Sequence, residues 1–285
     1  MSDLLAAALS TIEPIDLRSL NDAARLQTRK DRKYIVPRGV LADVLEDLPA
    51  DLRALEIDGR RWFGYESVYF DTPHRDSYRQ AATRRPRRFK VRTRSYLDSG
   101  DTMLEVKTKN RRGRTVKHRR ELPTTSVDEV KAAARRYASH FDESAPYADQ
   151  LDVSLTSRYR RLTLVLPSAH ARATVDAGYR GTDADGSTIG LDDELIVETK
   201  TSGAPSAFDR CLWRAGVRPV KISKFATGLA ALHPHLPSNR WHPVLRDHFG
   251  RPPVAAPGLP LRAAHNRVPC AEPSTPTRPR LAIAS

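Results

Sequence analysis

The run Arg88-Phe-Lys-Val-Arg-Thr-Arg-Ser-Tyr96, followed closely by Leu104-Glu-Val-Lys-Thr-Lys109, limits what this chain can fold into. Successive side chains of a strand point to opposite faces, so residues two apart share one face. Lys90, Arg92 and Arg94 therefore line one face of the first run, and Glu105, Lys107 and Lys109 one face of the second. A single strand of this kind turns its charges to solvent and its Val/Thr side to a core. Here the device recurs. Val116–Glu121 places Lys117, Arg119 and Glu121 on one face, Leu155–Leu162 gives Arg158 and Arg160, and Leu195–Lys200 gives Glu198 and Lys200. If those faces converge, they enclose a strongly positive cavity with few carboxylates. Unpaired buried charge is costly, so such a cavity calls for a polyanion with a divalent metal beside it. A closed antiparallel barrel is the architecture that turns alternation into a lumen.

At 285 residues the chain can bury one sizeable core, which predicts one domain with tails. A formal net charge of +14 favours anionic partners such as nucleotides, polyphosphate, nucleic acid or a membrane surface. Cys211 and Cys270 lie far apart and in no metal-ligand spacing, which argues against a disulfide framework and fits a reducing interior. The apolar patch Leu4 to Leu9 has neither a basic lead-in nor the length of a membrane span. The expectation is a cytoplasmic protein without a signal peptide.

Along the chain, Ser2–Ser10 and Leu17–Ala24 read as short helices on either side of Pro14, and Arg29–Val36 reads as a strand stopped by Pro37. Arg29, Asp31 and Lys33 share one face of that strand. Val40–Leu48 has the spacing of an outer packing helix. Tyr65–Asp71 is strand-like, with Asp71 in the role of a turn former and His74 at the surface. The basic run Arg84-Arg-Pro-Arg-Arg88 offers an electropositive entrance. Turns at Asp98–Asp101 and Asn110–Arg114 predict a meander of hairpins through Leu122. Ser126 begins a helix to about His140, and strands resume at Leu155–Leu166, Ala171–Tyr179 and Leu191–Lys200. Asp183–Gly186 is a plain turn. Ser206–Ala215 is helical, and Lys221–Phe225 with the Ala-rich stretch after it closes the domain near Leu232. The last part of the chain is Pro- and Arg-rich without apolar period, which predicts a disordered tail. The resulting division is an N-terminal segment 1–27, a domain 28–235 and a tail 236–285.

Taken together these runs resemble the VTC domain, the catalytic module of polyphosphate polymerases within the triphosphate tunnel metalloenzyme (CYTH-like) superfamily. The resemblance spans about Arg29 to Leu232. It is carried by Arg29-x-Asp-x-Lys-Tyr34, Ser67-x-Tyr-Phe-Asp71, Lys90-x-Arg-x-Arg-x-Tyr96, Glu105-x-Lys-x-Lys109, Lys117-x-Arg119, Ser157-Arg-Tyr-x-Arg161, Val175-Asp176 with Arg180, Glu198-x-Lys200 and Ser223-Lys-Phe225. It implies an α+β fold: a closed antiparallel tunnel of about eight strands with helices packed outside. It further implies that Lys33, Arg92, Arg94, Lys107, Lys117, Arg158, Arg180, Lys200 and Lys224 bind phosphates. Lys90 and Lys109 lie in phase with them, and Tyr96 and Arg119 are secondary contacts. Glu198 holds a divalent metal, Mn²⁺ or Mg²⁺. The catalytic set on this resemblance is Lys33, Arg92, Arg94, Lys107, Lys117 and Glu198.

The chemistry suits such a set, because phosphoryl transfer depends on positioning and charge neutralisation more than on covalent help from the protein. Hydrolase and cyclase branches of the superfamily resemble Glu-x-Glu-x-Lys at the first strand, where this chain reads Arg29-x-Asp31-x-Lys33. A cation in place of a carboxylate favours holding a long polyanion. The leading expectation is an ATP-dependent polyphosphate polymerase whose partners are ATP and polyphosphate. A triphosphatase of the same fold and a non-catalytic polyphosphate or nucleotide sensor are the alternatives. The resemblance also allows a membrane-protein partner, since eukaryotic relatives work beside a membrane channel. No sequence-specific nucleic-acid binding is expected, because the aromatics are not interleaved as stacking platforms.

Overall fold

The computed structural model describes residues 3–23, 30–123 and 126–250, and within them the alternating runs are strands of one sheet. The chain opens with α1 (Asp3–Ser10), β1 (Glu13–Ile15) and α2 (Leu17–Ala23). Strand β2 (Lys30–Pro37) leads directly into α3 (Arg38–Glu46), followed by β3 (Arg53–Leu55), β4 (Phe63–Asp71) and α4 (Asp76–Ala82). A meander of β5 (Arg88–Tyr96), β6 (Thr102–Lys109) and β7 (Thr115–Glu121) comes next, then α5 (Val127–Ala138). Two long strands, β8 (Asp152–Leu166) and β9 (Ala171–Asp183), precede β10 (Thr188–Leu191) and β11 (Glu194–Thr201). Helices α6 (Ala207–Arg214), α7 (Lys224–Leu232) and α8 (His242–His248) complete the described chain.

Eight strands follow the order β2-β11-β9-β8-β4-β5-β6-β7, every neighbouring pair antiparallel. This is the α+β architecture the sequence predicts, but the sheet does not close. Strands β2 and β7 are its two edges and share no ladder. The reason is visible at Lys33, whose carbonyl accepts a 2.7 Å hydrogen bond from the Val220 amide. The segment ahead of α7 therefore takes up the β2 edge that a closing β7 would need. The sheet still curls, because Lys33 of β2 and Lys117 of β7 line the same cavity.

Alternation decides which face each residue takes. On the outer face, Tyr34, Val36, Leu162, Leu164, Val175, Leu195 and Val197 pack under α1, α3 and α6. Each fully buried Leu or Val there contributes about 1.5–3 kcal/mol relative to exposure. A second outer layer buries Phe89, Val91, Leu104 and Val106 with Ala134 and Ala138 of α5. Helix α7 instead packs on Tyr69 and Leu155, and stoppers part of the interior with Phe225 and Leu229.

The division at the termini differs from the one read in the sequence. Leu5, Leu9, Ile12 and Leu20 are buried, so the N-terminal helices belong to the core. So do Leu236, Trp241, Val244 and Leu245, which seat α8 against the domain as far as residue 250. Apolar residues at 241, 244 and 245 form a helical stripe too short to stand out from the Pro-rich sequence around it. The remainder of the expected tail, residues 251–285, lies outside the described residues, as do residues 24–29, Arg29 among them.

Candidate functional site

The inner face of the curled sheet encloses a cavity of about 340 Å³. Strand β5 sends in Lys90, Arg92 and Arg94, its neighbour β6 sends Glu105 and Lys107, and β7 sends Lys117. From the other half come Asp31 and Lys33 of β2, Glu198 and Lys200 of β11, Arg172 and Thr174 of β9, and Tyr159 and Arg161 of β8. Ser223 and Lys224 cover one side from the start of α7.

Outward neighbours fix these strands. Asp209 completes a capping box with Ser206 at the start of α6, its Oδ2 accepting from the Ser206 amide at 2.7 Å. Its Oδ1 accepts from the Tyr34 hydroxyl and the Thr199 hydroxyl, each at 2.6 Å. Tyr34 and Thr199 adjoin Lys33, Glu198 and Lys200, so one buried carboxylate clamps the two strands that present those three groups.

Three carboxylates are embedded among the cations. Glu105, 2 % exposed, sits opposite Arg92 on one side and Arg119 on the other by strand register. Arg92 Nη2 lies 2.6 Å from Glu105 Oε2, while Lys117 Nζ at 2.5 Å and Arg119 Nη2 at 3.1 Å hold Oε1. Asp176 takes a two-pronged contact from Arg161, 2.6 Å to Oδ1 and 2.8 Å to Oδ2, and a further ion pair from Lys224. Glu198 accepts from Lys200 at 2.6 Å, with Lys33 at 4.0 Å.

The titration behaviour follows from this crowding. Burial opposes ionisation of Glu105, but Arg92, Arg94 and Lys117 hold its carboxyl far below the usual range. Burial likewise opposes Asp176, and Arg161 and Lys224 bring it down to about 2. Glu198 is also held well below its ordinary value, burial being outweighed by Lys33 and Lys200. Two of the lysines are lowered as well, which for them favours the neutral form. Burial and then Arg92, Lys33 and Lys107 push Lys90 well down, and burial lowers Lys117 to about 8 despite its bond to Glu105. Positive charge therefore exceeds what the carboxylates neutralise. Arg94 Nε and Thr174 Oγ1 are buried with no hydrogen-bond partner among the described residues. Both are positions where an anion's oxygens or water can bind.

Of the residues expected from the sequence, Lys33, Lys90, Arg92, Arg94, Lys107, Lys117, Glu198, Lys200 and Lys224 meet in this cavity. Arg119 stands at its rim, 45 % exposed and tied to Glu105. Lys109 lines an adjoining chamber, and the Tyr96 ring packs against Tyr65, centroids 5.2 Å apart. Two expectations fail. Arg158 is 72 % exposed on the outer face, paired with Glu66, because β8 turns its odd-numbered residues inward. Arg180 is also exposed and bonds Asp192, because the chain steps through Gly178 at φ 61 and breaks the phase set by Arg172 and Thr174. In their place the structure brings in Arg161 and Arg172, with Tyr69 and Tyr159 as aromatic walls. The phase of β8 was available in the sequence. Leu162, Leu164 and Leu166 share parity with Arg158 and Arg160, and those leucines pack under the outer helices.

Comparison with known proteins now bears on this geometry. The VTC domain matches residues 28–233. The chain belongs to the VTC domain family. Among solved structures, the candidate adenylyl cyclase HpAC1 from Hippeastrum, reported with a dominant triphosphatase activity, is 16% identical with a TM-score of 0.44, covering 69% of this chain and 93% of its own. A candidate adenylate cyclase from Bacillus halodurans is 14% identical at a TM-score of 0.42, covering 69% of this chain and 94% of that one. PH1819 from Pyrococcus horikoshii OT3 is 14% identical at 0.41, covering 69% and 93%. No curated protein matches the sequence.

The resemblance read from the sequence implies a divalent metal at Glu198. Among the described residues no group of three or more His, Cys, Asp or Glu converges as a metal cage. The VTC domain offers Glu198 instead, an ionised carboxylate on the cavity wall. Mg²⁺ or Mn²⁺ is commonly held through one or two carboxylates, with substrate phosphate oxygens and water completing the shell. The donor set here fits a metal that arrives with a phosphate chain. No helix among the described residues is long and apolar enough to cross a membrane.

Proposed function

We propose that this VTC domain is an ATP-dependent polyphosphate polymerase. The observation that carries the reading is a ladder of cations, Arg94, Arg92 and Lys90 along β5, faced by Lys33, Lys107, Arg161 and Lys200 across one cavity. A linear polyanion meets a cation at each step of such a ladder. Arg92, Arg94 and Arg161 supply planar guanidinium groups that can grip two phosphate oxygens at once, and the lysines supply point charges between them. The long axis has two different ends. Past Arg94, Tyr159 also lines a pocket of about 390 Å³ with Trp62, Tyr65 and Leu97, which opens beside Arg158 and Arg160 on the outer face. Past Lys90 the walls stay basic.

In the reaction, an oxygen of the chain's terminal phosphate attacks the γ-phosphorus of ATP. The bond from that phosphorus to the β–γ bridging oxygen breaks, ADP leaves, and the chain is longer by one phosphate. No nucleophile from the protein is needed. Arg92, Arg94 and Arg161 hold the transferring group in line and neutralise its charge. Glu105 keeps the Arg92 guanidinium fixed, and Asp176 that of Arg161. Glu198 would hold Mn²⁺ or Mg²⁺, and such an ion would supply further charge neutralisation. The cavity is too small for a nucleic-acid duplex, in keeping with phosphate-chain substrates. No feature of the described residues argues for a membrane-protein partner.

The test is incubation with ATP and Mn²⁺, following polymer on a gel and ADP and free phosphate in solution, beside Lys107→Ala and Glu198→Ala. Polymer with ADP, lost in both variants, is the expected result. Free phosphate without polymer would assign a triphosphatase. Tight polyphosphate binding with neither product would assign a sensor.

A further inference from the structure

The tunnel cavity continues into a second chamber of about 540 Å³, and the two share Asp31, Lys33, Lys90, Lys107 and Ser223 in their walls. Beyond the shared residues the chamber is lined by Arg88, Lys109, Lys221 and Arg240. Arg88 is the next residue in phase after Arg94, Arg92 and Lys90, so the inner face of β5 runs basic for about 20 Å from tunnel to chamber. Lys109 extends the β6 face in the same way. Arg240 comes from the short stretch before α8, beyond the last residue of the family match at 233.

Backbone carbonyls hold both arginines in place. Arg88 donates to the Arg85 carbonyl at 2.8 Å and Arg240 to the Ala81 carbonyl at 3.3 Å. No carboxylate among the described residues pairs with Arg88, Lys109 or Arg240, unlike the tunnel cations anchored on Glu105, Asp176 and Glu198. Burial, followed by the nearby Arg88 and Arg84, keeps the Arg240 guanidinium below its ordinary pKa. Like charges converge on a concave wall whose carboxylate among the described residues is Asp31, at the end shared with the tunnel.

We propose that this chamber is the outlet through which a growing polyphosphate chain leaves the tunnel, gripped by Arg88, Lys109 and Arg240. The inference rests on the polyphosphate reading of the tunnel and extends it to a length preference. A three-phosphate ligand fills the tunnel alone, whereas a long chain must also lie in the chamber. The inner face of β5 continues into the chamber, whereas the pocket past Arg94 opens beside Arg158 and Arg160 of the outer face.

The experiment compares binding of tripolyphosphate and of long-chain polyphosphate by calorimetry, for the wild-type protein, Arg240→Ala and Arg88→Ala, with thermal melts to confirm folding. Losing one charge-assisted contact should weaken long-chain binding roughly tenfold. Tripolyphosphate affinity should change less than twofold, so the ratio of the two affinities collapses. Equal loss for both ligands, or no loss for the long chain in either folded variant, would overturn the outlet. A wild-type protein that binds no tripolyphosphate would instead overturn the tunnel reading beneath it. A single-stranded oligonucleotide that displaces the long chain at equal phosphate concentration would assign the chamber to nucleic acid and overturn the proposal.

Discussion

Arg92 and Glu105 face each other across the β5–β6 ladder, with Arg92 Nη2 2.6 Å from Glu105 Oε2 in a wall otherwise crowded with cations. The pair shows how the site stays folded before any ligand binds. Glu105 anchors Arg92, Lys117 and Arg119 at once, and its own burial is tolerable only because three cations share it.

Glu105→Ala leaves those cations facing one another and should cost about 3–5 kcal/mol of stability, as breaking buried ion pairs does. A phosphate ligand can replace the missing charge. The denaturation midpoint of the variant should therefore rise more on adding tripolyphosphate than that of the wild type. An equal rise in both would mean that the ligand does not reach this wall.

The two arginines on opposite faces of β8 make a sharper comparison. Arg161→Ala should reduce turnover at least roughly a hundredfold, because it removes a charge-assisted grip on the transferring phosphate. Arg158→Ala, on the outer face, should leave turnover within about twofold. Steady-state kinetics on the two purified variants decides between the inward and outward phase of the strand.

Binding should depend on pH above neutrality. Lys117 is lowered to about 8 and Lys90 lies well below its ordinary value, so both lose charge at a pH where free lysine keeps it. Phosphate binding favours the charged forms. Affinity for tripolyphosphate should fall as pH rises through about 8, and binding near that pH should take up protons. Calorimetry in buffers of different ionisation enthalpy measures the uptake, and a proton release would contradict this account.

Stability has the opposite edge at low pH. Asp176 has its folded pKa near 2, below the value of about 3.9 for a free aspartate. Its contribution is fully present above the unfolded value and is lost as pH falls through the folded one, between about 5 and 2. Urea midpoints measured at pH 6 and pH 3 should therefore differ more for the wild type than for Asp176→Asn.

Much of this was legible in the sequence because alternation is a strong local signal. Lys90, Arg92 and Arg94 on β5, Lys107 on β6, Lys117 on β7, and Glu198 with Lys200 on β11 all take the face their spacing predicts. What escaped was long-range. Arg158 is the exception, since Leu162 and Leu164 show its outward phase locally, whereas Arg180 turns outward because a break at Gly178 reverses phase within one strand. The open edge between β2 and β7 depends on Val220, nearly 190 residues from its partner Lys33, a contact without any local signature. The anchoring roles of Glu105 and Asp176 emerge only when strands from separate parts of the chain are brought together.

The central claim is that cations converging from seven strands of this sheet transfer phosphate between ATP and a chain. The most direct measurement is the product formed from ATP and Mn²⁺, resolved by length on a gel beside an ADP assay. The account predicts polymer and ADP in equal phosphate equivalents, abolished by Lys107→Ala. Inorganic phosphate released in equal amount to ADP, with no polymer, would contradict it.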